Sequence, residues 1–252
     1  MPSNKKLLQA AAGAGGDSLY VEDVFSTYLY DAAHGTSPIV NGINLADDGG
    51  MVWFKNRTSG YSNVLFDTER GTSNHLVSNT TAGNSTSIGL SSFNTNGFSF
   101  SGVNLNVNSE SHVAWTFRKA EKFFDIQTWT GDSTSDRQIS HNINGTVGAI
   151  IIKQTSASGE NWAVYHRSNG ATGALYLNDT RDFLTADSFF NDTDPTSTNF
   201  TISNTYAVNR AGYSYVAYLF ASDAGGYGDD EDENIIKCGS YTGNGSATGP
   251  VE

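Results

Sequence analysis

Residues 113–117 read Val-Ala-Trp-Thr-Phe, and residues 216–220 read Val-Ala-Tyr-Leu-Phe. A second pair of similar segments lies at residues 52–55, Val-Trp-Phe-Lys, and at residues 150–153, Ile-Ile-Ile-Lys. Both pairs occur in the same order and about one hundred residues apart, which is typical of an internally repeated chain. The matches predict two copies of one strand-rich unit.

A third match extends the alignment, because Tyr30 aligns with Trp129 and the segment around Trp129 recurs around Tyr241. We therefore predict an amino-terminal arm (residues 1–22), a first repeat (23–121), a second repeat (122–228), and an acidic linker with the start of a third repeat (229–252). One strand and a turn cannot bury an apolar face alone. We expect either that the natural chain continues or that this strand completes a neighbouring sandwich.

Strand and turn signals fill both repeats. Apolar and polar residues alternate in residues 25–30, while residues 51–54 and 147–152 are continuous apolar runs of the kind that form buried strands. Turn signals such as Asp48-Gly49-Gly50 and Thr95-Asn96-Gly97 separate them. The pattern predicts an all-β fold of tandem antiparallel β-sandwich repeats, jelly-roll or lectin-like. The sole helix candidate is residues 4–12 in the arm.

Charge and cysteine content exclude several classes of protein. Lys and Arg number 14 against 26 Asp and Glu, for a net charge of -12. Binding to phosphates depends on clustered Lys and Arg, so we expect no nucleic-acid partner. No stretch is apolar enough to span a bilayer, and we expect no membrane insertion. The lone Cys238 cannot form an internal disulfide.

The common catalytic motifs do not occur. There is no Gly-x-Ser-x-Gly elbow, P-loop or His-Glu-x-x-His, and the five histidines are scattered singly. We therefore expect no enzyme activity and no cofactor. Asp67, Glu69 and Asp125 remain the candidates for a glycosidase-like carboxylate pair, with structural salt bridges as the simpler interpretation.

Two further groups of residues are candidate binding sites. The acidic run at residues 229–233 offers Asp229, Asp230 and Asp232 as a weak calcium site, although an extended, solvated linker explains it more simply. The aromatic residues Trp162, Tyr165 and Tyr176 are flanked by Asn and Asp, and their rings could stack on a host glycan. The alternative for these rings is a place in the core.

Several segments resemble a repeat-bearing family of virion and tail-fibre proteins from marine tailed bacteriophages. They are residues 6–16, 65–71, 114–120, 215–228 and 239–245. The resemblance implies a virion or tail-fibre protein and brings no catalytic residues with it. A looser likeness to lectin-like jelly rolls rests on residues 161–166.

The resemblance and the repeats together lead to an expected function. We expect the tail-proximal part of a phage tail fibre, located in the virion tail, that spaces distal host-recognition modules. Leu7, Leu8 and Ala11 of the arm would anchor it to other virion proteins such as a tail adaptor or nozzle, and the chain would form a homotrimer. The alternatives are a capsid decoration protein, a module that binds host surface glycans and, least favoured, a hydrolytic tail spike.

Overall fold

The chain is nearly all β, as the sequence predicts. The computed structural model describes residues 18–31, 38–101, 105, 110–185, 189–247 and 249. Over these residues the structure has fifteen strands and two one-turn helices, α1 (Val21–Val24) and α2 (Tyr206–Asn209). Neither helix was predicted from the sequence, and the predicted helix at residues 4–12 lies outside the described residues.

The first half of the chain forms two antiparallel sheets. Its strands are β1 (Phe25–Asp31), β2 (Ile39–Val40), β3 (Gly50–Asn56), β4 (Val64–Asp67), β5 (Leu76–Val77), β6 (Leu90–Asn94), β7 (Gly97–Phe100) and β8 (Ser111–Arg118). Five of them form the first large sheet, in the order β1-β8-β3-β4-β5. The other three form a small sheet, in the order β2-β7-β6.

The second half repeats this arrangement. Its strands are β9 (Phe124–Thr130), β10 (Arg137–Ser140), β11 (Val147–Gln154), β12 (Ala163–His166), β13 (Leu175–Tyr176), β14 (Asn199–Ile202) and β15 (Ser214–Ala221). The second large sheet has the order β13-β12-β11-β15-β9, which is the first order read from its other edge. The strands β10 and β14 form the second small sheet.

Strand register is the same in the two large sheets. The segments aligned by sequence occupy corresponding strands, β8 with β15 and β3 with β11. Corresponding cross-strand pairs are Phe25–Phe117 with Phe124–Phe220, and Val52–Thr116 with Ile150–Leu219. A shift of one residue would turn every side chain to the opposite face. Equal register therefore places aligned residues on equivalent faces.

Local sequence explains the central strands and one tight hairpin. The apolar runs at residues 51–54 and 147–152 become β3 and β11, which lie inside their sheets and are largely buried on both faces. At Thr95-Asn96 a two-residue loop joins β6 to β7. Gly97 has a φ of 146°, and a Cβ there would lie 2.0 Å from the carbonyl oxygen of Ile39, so only glycine fits.

Each large sheet buries one face against its small sheet. The first core comprises Tyr30, Ile39, Ile43, Leu45, Val52, Phe54, Val64, Phe66, Leu90, Phe98, Phe100, Leu105 and Ala114. The second core is built likewise around Ile150, Ile152, Tyr165, Phe200 and Tyr215. Packed sheets with alternating inward residues are the general form of a β-sandwich.

A third buried cluster joins the two large sheets face to face. It contains Val24, Met51, Leu65 and Leu76 from the first half, and Phe123, Phe124, Ile126, Trp162, Val216, Tyr218 and Tyr227 from the second. The described chain is therefore four layers deep, with a small sheet on each outer side. A spacer of tandem repeats, as expected from the sequence, would place the repeats end to end. The structure packs one directly on the other because each large sheet has a second apolar face.

The segment after β15 differs from the expected extended linker. The acidic residues 229–233 form a tight loop, in which the Glu233 amide donates to the Tyr227 carbonyl at 3.0 Å. No strand occurs among the described residues after Ala221. Even so, the Asp223 amide donates to the Ile236 carbonyl at 3.1 Å, just as the Ala120 amide donates to the Phe124 carbonyl at 3.0 Å where the second sheet begins.

We predict that Trp162→Ala lowers the free energy of unfolding by about 3–5 kcal/mol, because it removes a fully buried indole between the layers. Trp115→Ala is the matched control, since the Trp115 ring is only half-buried, and its loss should be smaller. Denaturant unfolding followed by circular dichroism measures both. Equal losses for the two variants would contradict the shared central layer.

Candidate functional site

The interface between the two large sheets is the most elaborate site among the described residues. On the first sheet Met51, Leu65 and Leu76 are at most 2% exposed. On the second sheet the Tyr218 ring lies parallel to that of Phe124 at 6.5 Å and near-parallel to that of Trp162 at 6.4 Å. These side chains form a buried apolar contact between the two large sheets.

A buried polar group fixes how the sheets meet. The Tyr218 hydroxyl donates to Asp67 Oδ2 at 2.6 Å across the interface. Arg70 Nε donates to the same oxygen at 2.7 Å, and the Arg70 amide donates to Asp67 Oδ1 at 2.9 Å. Burial raises the pKa of Tyr218 well above its usual value, so the phenol stays a donor. The carboxylate is fully buried yet paired, which offsets its desolvation.

A loop of the first half, residues 77–84, docks on the second half through its backbone. Trp162 Nε1 donates to the Thr80 carbonyl at 3.1 Å, and Lys153 Nζ donates to the Thr81 carbonyl at 3.1 Å. In return the Asn84 amide donates to the Thr155 carbonyl at 2.7 Å. These bonds satisfy polar groups that the contact removes from water.

Lys153 is an unusual member of this interface because its side chain is fully buried. Its ammonium donates to the Glu160 carbonyl at 2.6 Å as well as to Thr81. Burial lowers the pKa of Lys153 to about 8. Lys153 is thus held by carbonyl oxygens rather than by a carboxylate, and it contributes structure to the seat of the loop.

At this interface the two large sheets use equivalent faces but contribute different strands. The first sheet contributes Met51, Leu65 and Leu76, from β3, β4 and β5. The second sheet contributes residues of β9 and β15, such as Phe124 and Tyr218, which lie at the edge that corresponds to β1 and β8 of the first sheet. Because non-equivalent patches meet, the contact is heterologous.

A family profile described as a domain of unknown function (DUF7483) matches residues 21–251. The chain belongs to this family. The single match covers both large sheets and the central layer, so the DUF7483 unit includes the stacked pair. Among curated proteins none matches the chain. Among solved structures none matches it either.

The structure corrects the glycan-contact hypothesis. Trp162 and Tyr165 are 0% and 4% exposed, so neither ring can stack on a sugar. Tyr176 is half-buried, and the guanidinium of Arg181 lies 4.4 Å from the centre of its ring. Trp162 instead packs in the central cluster, Tyr165 packs in the second core, and Tyr176 packs against that core.

The three carboxylates considered for hydrolysis all have structural partners. Asp67 belongs to the interface group described above. Glu69 accepts from Lys119 Nζ at 2.7 Å. Asp125 accepts from Gln127 Nε2 at 2.7 Å and from the Asn142 amide at 2.8 Å. These contacts agree with the interpretation as structural salt bridges and turn bonds.

The remaining candidates do not form sites over the described part of the chain. Asp229 accepts a hydrogen bond from the Tyr20 hydroxyl, and Asp230 and Asp232 lie exposed beside it. No three His, Cys, Asp or Glu side chains in the described ranges are grouped to hold a metal ion. The proposed anchors Leu7, Leu8 and Ala11 lie outside these ranges. No described helix is long and apolar enough to cross a membrane.

A cavity of about 390 Å³ opens on the side of the first large sheet that faces its own core. Apolar residues such as Phe54 and Ile88 line it together with His75 and His112. Both imidazoles are 4% exposed, and Nδ1 of each has no hydrogen-bond partner among the described residues. Burial lowers the pKa of both histidines, so both are neutral at pH 7.

Sequence reasoning missed the interface group. From the sequence, Asp67 was a candidate for hydrolysis or for a structural salt bridge, and Tyr218 was only part of a repeated segment. Nothing in a single sequence joins residues 151 positions apart. One signal was available, because a lysine ends both aligned apolar runs, at Lys55 and Lys153. A lysine at an equivalent inward position of two repeats indicates a buried hydrogen-bond acceptor.

We predict that Tyr218→Phe costs about 1.5–3 kcal/mol of stability, because it removes a hydrogen bond to a buried carboxylate. Asp67→Asn should cost more, since it leaves Arg70 buried without its counter-charge. The double variant should lose less than the sum of the two, and urea unfolding of all three proteins measures this coupling. Strict additivity would show that the two residues do not act together.

We also predict that the protein loses stability on mild acidification. Burial lowers the native pKa of His75, His112 and His141, while histidine in an unfolded chain has a pKa of about 6.5. The unfolded state therefore takes up protons first, so this stability is complete above that pH and declines as the pH falls through it.

Urea unfolding at a series of pH values measures this slope. His75→Gln should make the slope shallower, because it removes one of the three buried imidazoles. A slope that His75→Gln does not alter would contradict the assignment to buried imidazoles.

Proposed function

We propose that the chain is a structural, non-catalytic protein that acts as a stiff spacer within a virus particle. The supporting observation is the buried layer between the large sheets, in which Tyr218, Asp67 and Arg70 close a polar group inside an apolar contact. Such a layer resists bending between the two halves, because any hinge motion would expose it and unpair a buried charge. A mechanical role requires this property.

Within a particle, the tail-proximal part of a tail fibre of a tailed bacteriophage is the specific role that we propose. The resemblance of residues 65–71 and 215–228 to virion and tail-fibre proteins supports it. Residues 1–16 would dock on other virion proteins such as a tail adaptor or nozzle, and three chains would form the fibre. The low share of charged residues, 16%, suits surfaces that pack against other subunits.

The first alternative is a capsid decoration protein, for which a rigid stack of sheets serves equally well. The burial of Trp162 and Tyr165 removes the observation that favoured a host-glycan-binding module. The structural role therefore has more support than carbohydrate recognition.

We predict that the protein is present in purified phage particles in a few sets per tail. Quantitative mass spectrometry against a capsid-protein standard measures the copy number, and a variant without residues 1–16 should fold but fail to join the particle. A copy number in the hundreds would favour decoration of the capsid. Absence of the protein from particles would overturn the proposal.

A further inference from the structure

Among the described residues, the stagger of the central interface leaves part of each large sheet without a partner sheet. On the first sheet this part lies around Trp115 of β8 and Leu29 of β1, while Phe25 and Phe117 at the other end of the same strands pack against the central cluster. On the second sheet it is formed by β12, β13 and the start of β11. We call these the amino-terminal open face, around Trp53 and Trp115, and the carboxy-terminal open strip, formed by Ala149, Val164 and Leu175. Both lie on the inner side of their sheets, beside the engaged parts.

The amino-terminal open face corresponds to the surface that the second sheet uses for docking. Register places Trp115 at the position of Tyr218, and Trp53 at that of Ile151. Tyr218 is 1% exposed beneath the first sheet, whereas Trp115 and Trp53 are half-buried, with their rings 6.2 Å apart. Leu29, at the rim of this face, is 59% exposed.

Three polar side chains on this face have fewer hydrogen-bond partners than buried groups usually have. Lys55 Nζ donates to the Tyr61 carbonyl at 2.9 Å, as Lys153 Nζ donates to that of Glu160. Lys153 has a second acceptor, the Thr81 carbonyl of the docked loop, and no second acceptor for Lys55 occurs in the described structure. Trp53 Nε1 and Asn63 Oδ1 are buried there without any partner among the described residues.

The carboxy-terminal open strip corresponds to the surface that docks on the second sheet. Register aligns Ala149, Val164 and Leu175 with Met51, Leu65 and Leu76. The second set is at most 2% exposed, whereas the first set is half-buried. The loop that follows the strip begins with the same backbone hydrogen bond as the loop of residues 77–84, because the Leu177 amide donates to the Trp162 carbonyl as the Ser78 amide donates to that of Asn63.

We propose that two copies of this chain bind head to tail, the carboxy-terminal open strip of one copy docking on the amino-terminal open face of the next. The contact between copies would repeat the contact inside the chain. The apolar strip of one copy would pack on the aromatic face of the next, and the carbonyl groups of the loop after the strip would point toward Lys55. A heterologous contact leaves a free face at each end, so the association continues until it closes or is capped. The inference goes beyond the proposed function and depends only on the stacked sheets.

Paired variants test the polarity of the contact. Trp115→Glu places a charge on the face and Leu175→Asp places one on the strip. In sedimentation velocity the wild type should sediment faster as its concentration rises, while the sedimentation rate of each variant alone should not change with concentration. In an equimolar mixture the two variants should join in pairs and stop there, because one variant keeps a working strip and the other a working face.

The design includes one control variant, two variants that repeat the test and a check of folding. Val40→Asp lies outside both surfaces at a position 56% exposed and should associate as the wild type does. Leu29→Asp and Leu177→Asp repeat the test at positions 59% and 39% exposed, where a charge does not threaten folding. Thermal unfolding of every variant confirms that the sheets are intact.

A wild type that stays monomeric at all concentrations would overturn the proposal and indicate that another part of the chain or another protein covers these surfaces. A mixture that stays monomeric would equally overturn it. Neither result bears on the copy number in particles, so failure of head-to-tail binding is distinguishable from failure of the virion assignment.

Discussion

A large β-sheet has two faces, and in this chain each small sheet covers only one of them. The face that remains contains residues such as Met51 and Val216, which are too apolar to leave in water. Burying apolar area contributes about 25 cal/mol per Å², and the other half of the same chain is the nearest surface able to do so. The four-layer arrangement follows from this requirement. Apolar burial alone is not directional, however, and the Tyr218–Asp67 hydrogen bond fixes the position of one sheet relative to the other.

The two halves preserve bonds to backbone acceptors while the side chains that make them differ. The Tyr30 hydroxyl donates to the Leu105 carbonyl at 2.7 Å, and at the corresponding position Trp129 Nε1 donates to the Val208 carbonyl at 3.0 Å. A backbone carbonyl constrains where a donor must be, not which residue provides it. The repeat is therefore visible in hydrogen-bond geometry at positions where sequence identity is lost.

The sequence was sufficient to predict the all-β class and individual strands such as β1, β3 and β11, because apolar runs and alternation report directly on burial. Aligned segments such as residues 52–55 and 150–153 also led to the equivalent strands β3 and β11. What covers the second face of a sheet could not be predicted. Because successive side chains of a strand point to opposite faces, a continuous apolar run shows that both faces are apolar, but it does not show which element packs on each face. Trp162 shows the consequence. Its polar neighbours left both an exposed ring and a core ring open, and its burial depends on a loop 82 and 85 positions away in sequence, at Thr80 and Val77.

Covalent linkage explains how one type of contact can be strong within the chain and weaker between chains. Only five residues separate β8 from β9, so the two sheets meet at a high effective concentration, in the millimolar range or above. The open surfaces lack two anchors of the internal contact, since Thr27 stands where Ile126 packs and Asn63 where Trp162 packs. A contact between copies must then form without the tether and with less apolar burial. It should be favoured where other contacts already hold copies close together, as in an assembled particle.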